Sequence, residues 1–325
     1  MELKFRRYDL TLAHNWMVAS SLATGGKMIY PAVLLELRDC DGVVGFGEAA
    51  PSIRYLENTQ TCIDFLQNVD ATRLSFDDVD GSMRYVESLI AGHYSSKGAL
   101  NLALLDGAAK KTRQPLHEFL GLDFVEGKHA TSFTIGLDST ECVRQKVREA
   151  EASPILKLKV GAPTDAANLA ALREIAPRKM VRVDANEAWL TKEEALRRIE
   201  ELARDPLIEY VEQPMPAGSS PADFAWVKER SALPIVGDES YLSAADVSLC
   251  ADCFHGVNVK LCKTGGISRG LEALKAARRA GLKTMVGSMV ESSLLTSAGA
   301  HLAVLADLLD LDGMLLITND PFRGV

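Results

Sequence analysis

From residue 131 onward the chain repeats one pattern: a short apolar run, a turn, an amphipathic helical stretch, then the next run. The runs are TSFTIG (131–136), ILKLKV (155–160), MVRVDA (180–185), IEYVEQ (208–213), LPIVGDE (233–239), GVNVKLC (256–262), KTMVGS (283–288) and DLLDLD (307–312). Between them lie stretches such as TKEEALRRIEELAR (191–204) and SRGLEALKAARRAG (268–281), with apolar residues at helical spacing. Strands that alternate with helices are the βα units of a parallel sheet. Eight in succession favour closure into a (β/α) barrel over an open sheet. After the eighth run only 313–325, ending in NDPFRGV, remains, too little for a full last helix.

The first 122 residues have another texture. MELKFRRYDLTLA, YPAVLLELRD and GVVGFGEAAP read as strands, and the last two flank Cys40-Asp41-Gly42, a hairpin signal. Helical patterns follow at about 58–69, 80–92 and 98–111. Residues 1–122 are therefore expected to form a small α+β domain and 123–312 the barrel, with 313–325 packing back near the first domain. A length of 325 residues suits this combination. The formal net charge of −8 argues against a nucleic-acid partner. No apolar run reaches the roughly 18 residues of a membrane span, and MELKFRRYDL lacks the apolar stretch of a secretory signal. Six scattered cysteines indicate reduced thiols, so the expected location is cytoplasmic. Cys250 and Cys253 form a CxxC in a predicted helix, without the second pair a metal site needs.

In a parallel barrel the functional side chains stand at the C-terminal ends of the strands. Here those ends carry Lys157 and Lys159, then Asp184 and Asn186, Glu212, Asp238 and Glu239, Lys260, and finally Asp310 and Asp312. Asp184, Glu212 and Asp238 each lie about one βα unit apart. Three carboxylates at one mouth repel unless a cation joins them. An all-oxygen set without His or Cys points to a hard ion, Mg²⁺ above all. None of the histidines pairs at ligand spacing. Strands two and six face each other across a barrel, so Lys159 and Lys260 flank that ion. Opposed lysines beside a metal suit removal of a proton next to a carboxylate, by a lysine of lowered pKa. Lys159 is read as the base and Lys157 as the like charge that lowers its pKa.

KLKV, VDANEAW, VEQP, GDES and NVKLCKTGG, in this order, resemble the enolase superfamily, muconate lactonizing enzyme subgroup. The resemblance spans essentially the whole chain and implies a (β/α)7β modified TIM barrel under an N-terminal α+β capping domain. It implies Mg²⁺ at Asp184, Glu212 and Asp238, with Asn186 and Glu239 as supporting neighbours, and acid/base roles for Lys159 and Lys260. Asp310-Leu311-Asp312 resembles the Asp-x-Asp with which dipeptide epimerases hold the substrate's ammonium group. GSMVES (287–292) places Ser288 and Met289 near the substrate, and Thr134 on the first barrel strand joins them. The implied reaction inverts the α-carbon of the second residue of a dipeptide, such as L-Ala-D/L-Glu, through a metal-stabilised enediolate. Peptidoglycan peptide metabolism is the implied setting, and a homo-oligomer the expected assembly.

Familiar members clamp a glutamate side chain with an arginine in the first mobile loop. Here HNWMVASSLATGGKM (14–28) has none, which leaves Lys27 there and Arg54 in the second loop as candidates. Gly25-Gly26 marks the first loop as a flexible lid, and Trp16 reads as either a core or a lid contact, with core preferred. N-acylamino acid racemisation, o-succinylbenzoate synthesis and muconate cycloisomerisation would keep the lysines and metal, but need no ammonium partner at Asp310 and Asp312. An idle barrel acting as a binding protein would lack a ligand or a base, and none is missing.

Overall fold

A hairpin-rich sheet starts the chain in the computed structural model, which describes residues 1–324 and leaves Val325 outside the described residues. Strands β1 (Glu2–Trp16), β2 (Lys27–Arg38) and β3 (Val44–Ala49) pair antiparallel in the order β1-β2-β3. The Asp-Gly turn falls between β2 and β3. Asp39 Oδ1 accepts the Asp41 and Val43 N–H groups at 3.0 and 2.9 Å, and Gly42 takes the left-handed φ of 83° that favours glycine. Helices α1 (Thr59–Gln67), α2 (Val79–Leu89) and α3 (Tyr94–Thr112) cover one face of this sheet. Their shared core includes Leu35, Leu37, Phe65, Leu100 and Leu104. The helix expected from residue 98 starts at Tyr94. Ser95, Ser96 and Lys97 read as polar in sequence yet are buried, because the buried Glu57 carboxylate accepts the Ser95 N–H at 3.1 Å and caps that first turn.

The barrel strands are β4 (Ser132–Ile135), β5 (Ile155–Lys159), β6 (Met180–Asp184), β7 (Ile208–Glu212), β8 (Ile235–Gly237), β9 (Gly256–Lys260), β10 (Lys283–Gly287) and β11 (Leu308–Asp310). They pair in parallel, each with the next in sequence. The ring closes where Thr131 bridges Leu309 and the Ser132 hydroxyl donates to the Leu309 carbonyl at 3.4 Å. Alternation sorts the side chains. Leu156, Leu158, Val181, Val183, Val257 and Val259 face the helices in one apolar layer and are fully buried; each contributes about 1.5–3 kcal/mol by leaving water. The other face points into the barrel, where Tyr210, Val236, Met285 and Leu308 form a small apolar plug.

β1 runs to Trp16, beyond the expected strand end. A 3₁₀ turn (Ala19–Thr24) and two left-handed glycines, Gly25 at φ 79° and Gly26 at φ 77°, return the chain into β2. The C-terminal segment docks on β1. Ile317 bridges Leu12, and Asn319 accepts the Thr11 N–H at 2.8 Å while donating to the Asp9 carbonyl at 2.9 Å. Among the described residues, no helix is long and apolar enough to cross a membrane.

Candidate active site

The cavity at the C-terminal ends of the barrel strands measures about 880 Å³. Lys159, Lys260, Asp238, Asp310 and Asp312 line its floor, while Trp16, Lys27, Arg54 and Tyr55 approach from the capping domain. Strand register explains why the floor residues meet. In a parallel sheet, laterally paired residues share a face, and Lys159 pairs with Asp184, Asp184 with Glu212, and Gly287 with both Lys260 and Asp310. Asp238 and Glu239 lie just past the three-residue strand β8, and Asp312 two residues past β11.

Asp184, Glu212, Asp238, Asp310 and Asp312 are buried here, each beside an ammonium group or a backbone N–H; Glu239 is half-buried and accepts the Asn186 side-chain amide at 3.4 Å. Lys157 Nζ lies 3.0 Å from Asp184 Oδ2, 2.7 Å from Glu212 Oε2 and 2.6 Å from Asp310 Oδ2. Lys159 Nζ donates to Asp184 Oδ2 at 2.7 Å. On the opposite wall Lys260 reaches Asp238 Oδ2 at 2.8 Å and Lys263 reaches Oδ1 at 2.5 Å. Lys263 is absent from the sequence-based site. The only hint was its place one helical turn after Lys260. Asp312 Oδ2 accepts the Thr134 N–H at 2.6 Å, and Asp310 Oδ1 accepts the Ser132 hydroxyl at 2.7 Å. Ser288 Oγ donates to the Asp310 carbonyl at 3.1 Å, which places it and Met289 at the cavity wall.

The charges are uneven. Burial opposes the ammonium of Lys157, but Asp184, Asp310 and Glu212 together hold its pKa well above the ordinary value. Asp238 does the same for Lys260. At both of these lysines the neighbouring carboxylates outweigh burial. Burial and Asp184 push Glu212 up to about 7. Burial and Asp238 push Glu239 up to about 8, and burial and Asp310 push Asp312 up to about 6. Negative charge exceeds what the lysines neutralise. Asn186 Oδ1 and Glu239 Oε2 are buried without a hydrogen-bond partner among the described residues. Hard oxygens in excess, two of them unpartnered, fit a hard divalent cation. Among the described residues no three His, Cys, Asp or Glu side chains already converge on one point; lysine ammonium groups stand between the carboxylates instead.

Three residues of the capping side correct or extend the sequence reading. Trp16 serves both sides: half-buried, it packs against the cluster of Leu10, Leu12, Ala32 and Val290, while its ring lies 5.8 Å from Lys159 Nζ and lines the cavity. Tyr55, which the sequence did not single out, sits close enough to Asp238 and Lys260 to feel both charges. Arg54 lines the cavity, but its guanidinium forks onto Glu187, with Nε–Oε2 and Nη2–Oε1 distances of 2.7 Å each. Lys27 is exposed at the cavity edge.

A family model described as "Enolase C-terminal domain-like" matches residues 141–316, and one described as "Mandelate racemase / muconate lactonizing enzyme, N-terminal domain" matches residues 9–121. An L-Ala-D/L-amino acid epimerase from Pedosphaera parvula is 59% identical over 100% of this chain and 93% of its own. An L-Ala-D/L-Glu epimerase from Bacteroides thetaiotaomicron is 34% identical over 100% of this chain and 83% of its own. A dipeptide epimerase from Enterococcus faecalis, solved with Mg and the dipeptide L-Leu-L-Tyr, superimposes with a TM-score of 0.89 at 26% identity, over 99% of this chain and 93% of that one.

Proposed function

This chain belongs to the enolase superfamily, with the two domains of its mandelate racemase/muconate lactonizing enzyme branch, and from that premise we propose that it is a Mg²⁺-dependent dipeptide epimerase. The observation that carries this reading is a pair of lysines on opposite walls of one cavity, Lys159 against Asp184 and Lys260 against Asp238, with a buried Asp310/Asp312 pair beside them. Two relatives, an L-Ala-D/L-amino acid epimerase and a dipeptide epimerase, support the substrate class.

The α-carbon of the second residue is placed between Lys159 and Lys260. One amine takes the α-proton, charge spreads onto the neighbouring carboxylate, and the opposite ammonium returns a proton to the far face, inverting the centre. Asp310 and Asp312 receive the free ammonium of the first residue. The raised pKa of Asp312, caused by burial and by Asp310, reports a carboxylate short of positive charge. Thr134 fixes Asp312 through its N–H, and Ser288 and Met289 wall the same side. Asp184, Glu212 and Asp238, with Asn186 and Glu239 next to them, would hold the Mg²⁺. When bound, that ion supplies Lewis-acid charge to a substrate carboxylate and relieves the carboxylates' hold on the lysines.

The test is proton exchange. Protein with Mg²⁺ and a pool of L,L-dipeptides in D₂O should add one mass unit to particular dipeptides, and EDTA should stop it. Lys159→Ala and Lys260→Ala should each abolish epimerisation, while each retains exchange of one epimer only, and of opposite ones. If no dipeptide exchanges, the reading fails.

A further inference from the structure

Arg54 offers the cavity a guanidinium of the kind an acidic substrate side chain needs, and Glu187 already occupies it. Both Glu187 oxygens face the guanidinium at 2.7 Å, and Oε1 also accepts the Ala217 N–H at 2.6 Å. The pair joins two separate parts of the chain: Arg54 stands in the loop after β3, Glu187 just past the end of β6. The backbone presents Glu187 at a left-handed φ of 67°, which residues other than glycine adopt rarely. It is held there by its own N–H on the Gln213 carbonyl at 2.9 Å. Arg54 is fixed from its side by Ser52 Oγ, which accepts the Arg54 N–H at 3.3 Å. In the segment 14–28 the one basic residue other than His14 is Lys27. Ile29 and Ile53 add apolar surface to the same mouth, lining the cavity with 49% and 72% of their surface exposed.

We propose that Glu187 is a specificity-determining residue: by holding Arg54 it makes the site select dipeptides whose second side chain is uncharged and disfavour glutamate and aspartate. This rests on the dipeptide reading above and narrows it. A substrate carboxylate that reached Arg54 would either displace Glu187, leaving that carboxylate with one N–H partner, or crowd a second anion onto one guanidinium. An uncharged side chain meets no such repulsion and packs on Ile29 and Ile53. The discrimination is built from a repulsive element as much as from an attractive one.

The test compares L-Ala-L-Gln with L-Ala-L-Glu, which differ in charge and hardly in shape. Wild-type protein should favour L-Ala-L-Gln by about tenfold or more in kcat/KM, expressed mainly in KM. Glu187→Gln keeps an acceptor for the Ala217 N–H and frees the guanidinium, so KM for L-Ala-L-Glu should fall and the ratio should shrink about tenfold. Adding Arg54→Gln to that variant should remove the gain. If Glu187→Gln does not fold, Arg54→Gln alone decides: the unpaired Glu187 should raise KM for L-Ala-L-Glu far more than for L-Ala-L-Gln. Equal handling of the two dipeptides by the wild type, or variants that move both KM values together, overturns the proposal. Loss of exchange from both dipeptides in the wild type is a different result, and it overturns the epimerase reading itself.

Discussion

Lys157 shows why a parallel strand carries two lysines on one face. One ammonium, 1% exposed, lies within 3.0 Å of carboxylates from β6, β7 and β11. Lys157→Met would leave Asp184, Glu212 and Asp310 crowded without that charge. Removing one partner of a buried ionic group costs about 3–5 kcal/mol. Urea unfolding should show the loss, and an unchanged midpoint would mean that the cluster contributes little to stability. Asp312→Asn should raise KM for a free dipeptide about tenfold or more and leave an N-acylated analogue equally poor before and after; steady-state kinetics on the pair decide this. At this scale the strand-end residues were legible, because alternation fixes which side chains point into the barrel. Lys263, Tyr55 and Glu187 were not. Their importance comes from the partners Asp238, Lys260 and Arg54, which the fold supplies and no local spacing announces.

Among the elements, the helix Ser293–Ala300 ties the two domains together. Its N-terminal turn receives the buried Glu48 carboxylate from β3, through Ser292 N–H at 2.9 Å, and Asp320 from the C-terminal segment, through Ser293 N–H at 2.9 Å. Both anions sit at the positive end of the helix. At its other end His301 stacks on His117 with ring centroids 5.5 Å apart. Burial and the neighbouring His117 lower the His301 pKa to about 4, with Asp106 opposing. The sign follows. Folding favours the neutral ring, so its contribution is complete above the unfolded pKa of about 6.5 and is lost as pH falls from there toward 4. Melts between pH 7 and 4.5 should show wild type losing up to roughly 3 kcal/mol more than His301→Gln; parallel curves would remove His301 as the cause. The barrel strands and the Asp-Gly hairpin were readable because period-two patterns and turn residues are local signals. The start of α3 was not, since Glu57, a distant carboxylate, buries its polar first turn. Trp16 was readable only as an aromatic residue for core or lid, and the fold gives it a place in both.

The molecule as a whole is a barrel roofed by a separate sheet whose lid, residues 17–26, is anchored to β1 and β2. Residues 22–25 are exposed and lead into the two left-handed glycines. Saturating L-Ala-L-Gln with Mg²⁺ should therefore slow limited proteolysis of 17–26 about tenfold. Unchanged cleavage would mean that the lid does not close on the substrate. The docking of Ile317 and Asn319 on β1 has no local signal in the sequence, because the pairing joins residues about 300 positions apart. The closing of the ring has a kinetic side. The contacts that join β11 to the start of the barrel, Ser132 with Asp310 and Lys157 with Asp310, link residues 178 and 153 positions apart. Loops of that length close late and slowly. A chain that has not yet added β11 presents β10 as an open edge and lacks one of the three carboxylates around Lys157. Completing the ring and completing the charge cluster are the same event. A partly folded barrel is therefore inactive and sticky at once, and a cut before β11 yields neither a smaller enzyme nor a quiet fragment.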